Sequence, residues 1–196
     1  MKPGSIYMDN CVTTAPAKEV LQAMQPYFTE KYWFPGSFIS TGEGINEDIQ
    51  GFSEVIANSL NADASSIHFS SGGTLANNIA IKGLAASQKK GHIICSVIDY
   101  PDILTNAAFL EKQGFEVSYL SSDNIGLIDL NELRNAIRPD TVLFMTTIVN
   151  HVVGSIQPMQ EIRDILEASD HKIYFHADAC QAYGKIPLDE IGRAHV

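Results

Sequence analysis

Short apolar runs alternate along this chain with longer stretches whose apolar residues recur every three or four positions. The runs at 67–69, 92–98, 115–120, 141–149 and 172–177 predict strands. Between them, Leu75, Ile79 and Leu84 mark one helical stripe, and Ile103, Leu104, Ala107 and Ala108 a second. Leu130, Leu133 and Ile137 mark a third, and Ile162, Ile165 and Leu166 a fourth. Upstream, Ala17, Val20, Leu21, Met24 and Phe28 predict one helix and residues 48–60 another. The stretch 33–45, rich in Gly, Ser and aromatics, reads as a loop.

Local punctuation supports this order. Asp129 followed by Glu132 has the spacing of a capping box opening the third stripe. Gly114 stands where the second should stop, and Pro158 suits the first turn of the fourth. The run 141–149 is apolar at successive positions, as a strand covered on both faces must be. Strand–helix alternation at this spacing implies an α/β protein with three αβα layers and a mostly parallel sheet.

Composition narrows the function classes. A length of 196 residues with 45% hydrophobic content is enough for one sizeable core. The net charge of −10, with acids and bases interspersed and no basic stripe, argues against nucleic acid as a partner. No run approaches the roughly 20 apolar residues of a membrane span, so no membrane partner is expected. The opening residues lack the apolar core of a secretory leader. Three scattered cysteines, Cys11, Cys95 and Cys180, argue against a disulfide framework and for a reducing, cytoplasmic setting.

Ligands of open parallel sheets sit beyond the carboxyl ends of the strands, which singles out the residues there. After 67–69 comes Ser70-Ser71-Gly72-Gly73-Thr74, opening into a helix. Glycines, free N–H groups and a helix N-terminus form a cup for an anion. After 92–98 comes Asp99-Tyr100-Pro101, an aromatic ring at the same rim, and after 141–149 comes Asn150-His151. After 172–177 comes Asp178, a carboxylate whose burial requires a cation or strong donor, then Cys180 and Gln181. Together these are the parts a phosphorylated aromatic cofactor needs. His176, Asp178 and Cys180 also alternate onto one strand face with zinc-compatible donors, but neighbouring strand positions alone make a weak metal site. No metal is expected.

The words themselves resemble a known family. Tyr7-Met8-Asp9-Asn10-Cys11-Val12-Thr13-Thr14 resembles the opening of the cysteine desulfurases, fold-type I pyridoxal-phosphate (PLP) enzymes of the class V aminotransferase group. Phe69-Ser70-Ser71-Gly72-Gly73-Thr74-Leu75-Ala76-Asn77-Asn78 is similar to their phosphate-binding segment, and His176-Ala177-Asp178-Ala179-Cys180-Gln181 to their aspartate motif. The resemblance implies that Gly73 and Thr74 bind the cofactor phosphate and that Tyr100 stacks on its ring. It further implies that Asp178 pairs with the pyridine nitrogen, and that Gln181 and Asn150 lie at the phenolic oxygen. It implies cleavage of cysteine to alanine with sulfur left as an enzyme persulfide, a supply for iron–sulfur cluster assembly. Expected partners are a small amino-acid substrate, a second copy in a homodimer, and a sulfur-acceptor protein.

Departures qualify the analogy. Tyr100 stands where the family usually has histidine, and a phenol with an ordinary pKa near 10 is a poor proton shuttle at neutral pH. Asn150-His151-Val152 replaces the family's Asn-Asn-Glu, with His151 a partial substitute for the lost glutamate. The Schiff-base lysine and catalytic cysteine loop of the family are expected beyond Val196, so no catalytic residue is assigned within the chain. Residues 1–14 are expected to join a small domain and 15–196 to form an incomplete PLP-binding large domain, lacking its last strands. Lys172, in a motif resembling the lysine signature, precedes the Asp178 strand and is assigned to a solvated junction. Another class V aminotransferase or lyase activity, or a non-catalytic homologue, remains the alternative.

Overall fold

The structure is a computed structural model and describes residues 5–37 and 40–188. It divides into two compact units, one ending at His68 and the other beginning at Phe69.

The first unit carries helices α1 (Lys18–Met24), α2 (Pro26–Thr29) and α3 (Ser40–Ser59), then a 3-10 turn at Ala64–Ser66. The single helix expected from Ala17 to Phe28 is therefore two. Pro26 has no N–H to donate back along the first helix and instead opens the second. No residue of α1 or α2 is buried, so the apolar stripe through Val20, Leu21 and Met24 covers nothing within the described residues. Asp48 on α3 binds both Tyr27 Oη at 2.9 Å and Lys31 Nζ at 2.7 Å, tying the second helix to the third. The expected loop at 33–45 is corrected in its second half, where α3 begins at Ser40; residues 38 and 39 lie outside the described part.

The second unit contains α4 (Gly73–Gln88), β1 (His92–Ser96), α5 (Pro101–Lys112), β2 (Glu116–Leu120), α6 (Leu130–Ala136), β3 (Thr141–Thr147), α7 (Met159–Glu167) and β4 (Tyr174–Asp178). All pairings are parallel, in the order β2-β1-β3-β4. The segment 67–69, expected as a strand, is not one. Ile67 has extended dihedrals, but the segment pairs with none of these four strands, and extended backbone becomes a strand only when its polar groups find a neighbouring edge. The β1 and β3 expectations run two residues too far, and β4 starts two later than expected, at Tyr174, and takes in Asp178.

Side chains alternate across the sheet as the pleat demands. Ile93, Cys95, Leu143 and Met145 pack with Ile81 and Ala85 of α4 and Ile103, Ala107 and Leu110 of α5. On the other face Ile94, Phe144 and Phe175 pack with Leu133 of α6 and Ile162 and Leu166 of α7. That is the expected three-layer α/β arrangement. Gly114 falls two residues beyond α5, as expected.

Buried polar groups register the strands. His92 is fully buried at the start of β1 and bridges its neighbours, with Nδ1 2.8 Å from Thr141 Oγ1 and Nε2 2.8 Å from Ser118 Oγ. Burial lowers its pKa, so it is a neutral structural histidine. Asp99, just beyond β1, takes a backbone N–H from Ser96 at 2.8 Å. Its Oδ1 accepts from the Thr147 N–H at 2.7 Å and the Thr146 hydroxyl at 2.9 Å. This carboxylate knots the carboxyl ends of β1 and β3 together. The capping box is half formed: Asp129 caps α6 by accepting from Asn131 and Glu132 N–H groups, while the Glu132 carboxylate reaches out to the Ser121 N–H at 2.7 Å.

Two outcomes follow from these contacts. Asp129→Ala should lower unfolding free energy by about 1 kcal/mol in denaturant titration, the usual cost of losing a helix cap. Burial pushes the Asp99 carboxyl up to about 6, against the pull of its hydrogen bonds. The folded state therefore binds this proton more tightly than the unfolded chain, whose carboxyl titrates near 4. The Asp99 contribution to stability is fully present below about pH 4 and falls by up to roughly 3 kcal/mol as pH rises to about 6. The stability difference between wild type and Asp99→Asn should show that fall and be flat above it.

Candidate functional site

In the order β2-β1-β3-β4 the winding reverses between β1 and β3, and the carboxyl edge at such a reversal is where open parallel sheets hold ligands. Tyr100 leaves β1 on one side of this point and His151 leaves β3 on the other. Their rings meet edge to face at 4.8 Å between centroids. Tyr100 is about 36% exposed, leaving part of its ring open to solvent. His151 Nδ1 is buried without a hydrogen-bond partner among the described residues, an orphaned polar atom beside this rim.

The start of α4 supplies the anion cup. Gly72 precedes the helix at φ +151°, a conformation only glycine adopts without strain. Gly73 is required for closeness: a Cβ there would stand 2.6 Å from Cys180 Sγ. The first N–H groups of this 16-residue helix have no helical partner of their own, and the helix dipole favours an anion beside them. The Thr74 hydroxyl, expected at the phosphate, donates to Asp102 Oδ2 at 2.6 Å. It must turn away from that carboxylate to reach an anion.

Asp178 ends β4 and is only 6% exposed. Its Oδ1 accepts the Cys180 N–H at 2.8 Å and its Oδ2 the Asn77 side-chain N–H at 2.8 Å. Two N–H hydrogen bonds and the weak Cys180 thiol donor still leave acceptor capacity on a buried carboxylate, an arrangement suited to a cationic donor. Beside it the Cys180 thiol is pushed up to about 11, by burial and then by Asp178, so it stays protonated at neutral pH. Burial drives the Cys95 thiol higher still within the core.

The remaining expected residues are placed less directly. Asn150 is buried and spends its side chain on backbone: Nδ2 donates to Ile98 O at 2.8 Å, and Oδ1 accepts from Val152 and Val153 N–H groups. It braces the turn that carries His151. Gln181 Oε1 accepts from Lys185 Nζ at 2.7 Å. Lys172 lies before β4 with its ammonium 4.3 Å from the Tyr174 ring centroid, at the end of the strand opposite Asp178 and roughly 20 Å along it. Among the described residues no group of three His, Cys, Asp or Glu side chains is placed to hold a metal ion.

Sequence reasoning gave no role to Asn77, Asp99 or Asp102. Asn77 was detectable: it shares a helix face with Ile81 and Ala85, and a polar residue in a buried stripe needs a partner. The arrangement as a whole suits a ligand with an anionic group at one end, a flat ring in the middle and a protonated nitrogen at the other.

The sequence profile of the class-V aminotransferases, a family of PLP-dependent enzymes, matches residues 6–191. A protein named cysteine desulfurase IscS from Methanosarcina thermophila is 46% identical over 187 residues, covering 94% of this chain and 46% of that protein. The mitochondrial cysteine desulfurase of Saccharomyces cerevisiae is 42% identical, with 94% and 37% covered. The chain thus spans about half the length of the curated relatives it matches, or less. Among solved structures, a NifS-like protein superposes with a TM-score of 0.93 at 31% identity, over 97% of this chain and 53% of that one. A structure described as SspA in complex with cysteine gives 0.91 at 36%, over 96% and 54%. No described helix is long and apolar enough to cross a membrane. This chain belongs to the class-V aminotransferase family and has its PLP-transferase fold.

Proposed function

We propose that this chain forms the cofactor-binding part of a PLP-dependent cysteine desulfurase. The observation that carries the reading is Asp178, a buried carboxylate with unused acceptor capacity, set beside a glycine cup at a helix N-terminus. PLP supplies an electron sink at the substrate α-carbon when bound. Gly73 and the first N–H groups of α4 hold its phosphate, with the Thr74 hydroxyl once it leaves Asp102. Tyr100 stacks on the ring, Asp178 keeps the ring nitrogen protonated, and Gln181, with Asn150 nearby, faces the phenolic oxygen.

Cysteine as substrate is supported by the names of the relatives and by the cysteine complex among the structural neighbours. Release of sulfur to an acceptor protein for iron–sulfur assembly and a homodimeric state belong to the same proposal and rest on the family resemblance, while a cytoplasmic location rests on the three scattered cysteines. The side chains favour one variation. Tyr100 is a poor shuttle at neutral pH, whereas His151 touches it edge-on with Nδ1 unpartnered; His151 therefore takes the proton-carrying role at the rim. The same substitution keeps a different class V lyase or transaminase reaction as the second reading. Alanine from cysteine, with the persulfide sulfur released as sulfide by an added thiol reductant, would support the first, and a keto acid the second.

Titration of the chain with PLP tests the site directly. Saturable binding is expected, weakened more than about thirtyfold by Asp178→Ala, the scale of a lost buried charge pair. Gly73→Ala should weaken binding about tenfold through the clash with Cys180 Sγ, and Cys180→Ala in that background should recover part of the loss. Binding unaffected by either single substitution, or a borohydride-reducible adduct mapping to Lys172, would contradict the assignment.

A further inference from the structure

Asn77 sits one helical turn beyond Gly73, 4% exposed, between two groups that no part of the cofactor reading requires it to join. Its Nδ2 lies 2.8 Å from Asp178 Oδ2 and its Oδ1 2.9 Å from His176 Nε2. The chemistry of the partners fixes which way round the amide stands. An ionised carboxylate only accepts, so the amide nitrogen must face Asp178. The amide oxygen then faces His176, whose Nε2 must carry a hydrogen and donate it. Burial lowers the His176 pKa, against the opposing pull of Asp178, so the ring is neutral with its proton on Nε2. His176 and Asp178 lie two residues apart on β4, on the face that α4 covers. The single amide therefore spans from the strand's histidine to its terminal carboxylate.

We infer that Asn77 is a positioning residue for the cofactor's ring nitrogen: held in one orientation by His176, its amide fixes the Asp178 carboxylate as an acceptor at the end of β4. The inference rests on the proposed pairing of Asp178 with that nitrogen and adds the device that sustains it. Two donors, the Asn77 amide and the Cys180 N–H, pin one carboxylate oxygen each. Removal of the Asn77 donor leaves Asp178 held from the Cys180 side only and free to rotate. The same amide couples α4, which carries the anion cup, to β4, which carries the carboxylate. The two ends of the ligand site are thereby set at a fixed separation.

The test compares PLP with an analogue whose ring nitrogen is replaced by C–H, titrated into the wild-type chain and into Asn77→Leu and Asp178→Asn. Asn77→Leu is expected to weaken PLP about tenfold, the scale of one hydrogen bond to a charged group, and to leave the analogue within about twofold. Equal weakening of both ligands would reduce Asn77 to a packing role and overturn the inference. Asp178→Asn should likewise weaken PLP alone. If it does not discriminate the two ligands, the pairing itself fails, a result distinct from failure at Asn77. A measurement on the unsubstituted chain guards against a misfolded variant. The ¹⁵N shifts of His176 should report the neutral Nε2–H form at about pH 7 to 8, above the ordinary histidine range that burial lowers. The neutral tautomer with its proton on Nδ1 would make Nε2 an acceptor, reverse the Asn77 amide and overturn the inference.

Discussion

Burial of carboxylates at the carboxyl edge of a parallel sheet is the constraint on which this structure turns. A buried carboxylate is tolerated only with donors enough to replace water. Asp99 and Asp178 face that demand at different strand ends and meet it differently. Asp99 collects hydrogens from Ser96, Thr146 and Thr147, so its acceptor capacity is spent inside the protein and it serves to lock β1 to β3. Asp178 receives one hydrogen on each oxygen. The same side chain is thus a structural knot in one place and, in the proposed function, the partner of a cation in the other. The donor count separates the two roles.

Around that carboxylate the fold supplies the rest of the site by geometry that parallel sheets impose. Reversal of winding between β1 and β3 opens the edge where Tyr100 and His151 meet. The N-terminus of α4 brings a positive dipole end and glycines close to the turn after β4, where Gly73 meets Cys180. The site is not uniformly welcoming to an anion, because Asp102 holds the Thr74 hydroxyl. Under the proposed function, phosphate binding through Thr74 would exchange that hydrogen bond for another.

Much of this was legible in the sequence because the second unit obeys simple periodicities. Continuous apolar runs at 92–98 and 141–149, and three-to-four spacing in the helices, gave the layers and the parallel sheet. Reading the residues after each expected strand singled out Tyr100, Asn150, Asp178 and the Gly72-Gly73 turn as candidates, although 67–69 is not a strand and Asp178 lies within β4. The errors have local causes. Pro26 splits a stripe that is continuous by hydropathy alone. Residues 67–69 have strand-like composition, and composition does not say whether an edge is available to pair with. Glu132 has the capping-box spacing but finds Ser121 nearer. The roles of Asn77 and Asp102 depend on partners 101 and 28 residues distant, which spacing along the chain does not reveal.

The central claim is that Asp178 stands ready to hold a protonated ring nitrogen. The most direct measurement is the ¹⁵N NMR shift of PLP labelled at that nitrogen and bound to the chain, followed across pH. The account predicts a pyridinium signal that persists to a pH well above the one at which free PLP loses the proton, and its loss in Asp178→Asn. A bound cofactor with a neutral pyridine nitrogen at the same pH as the free one would contradict it.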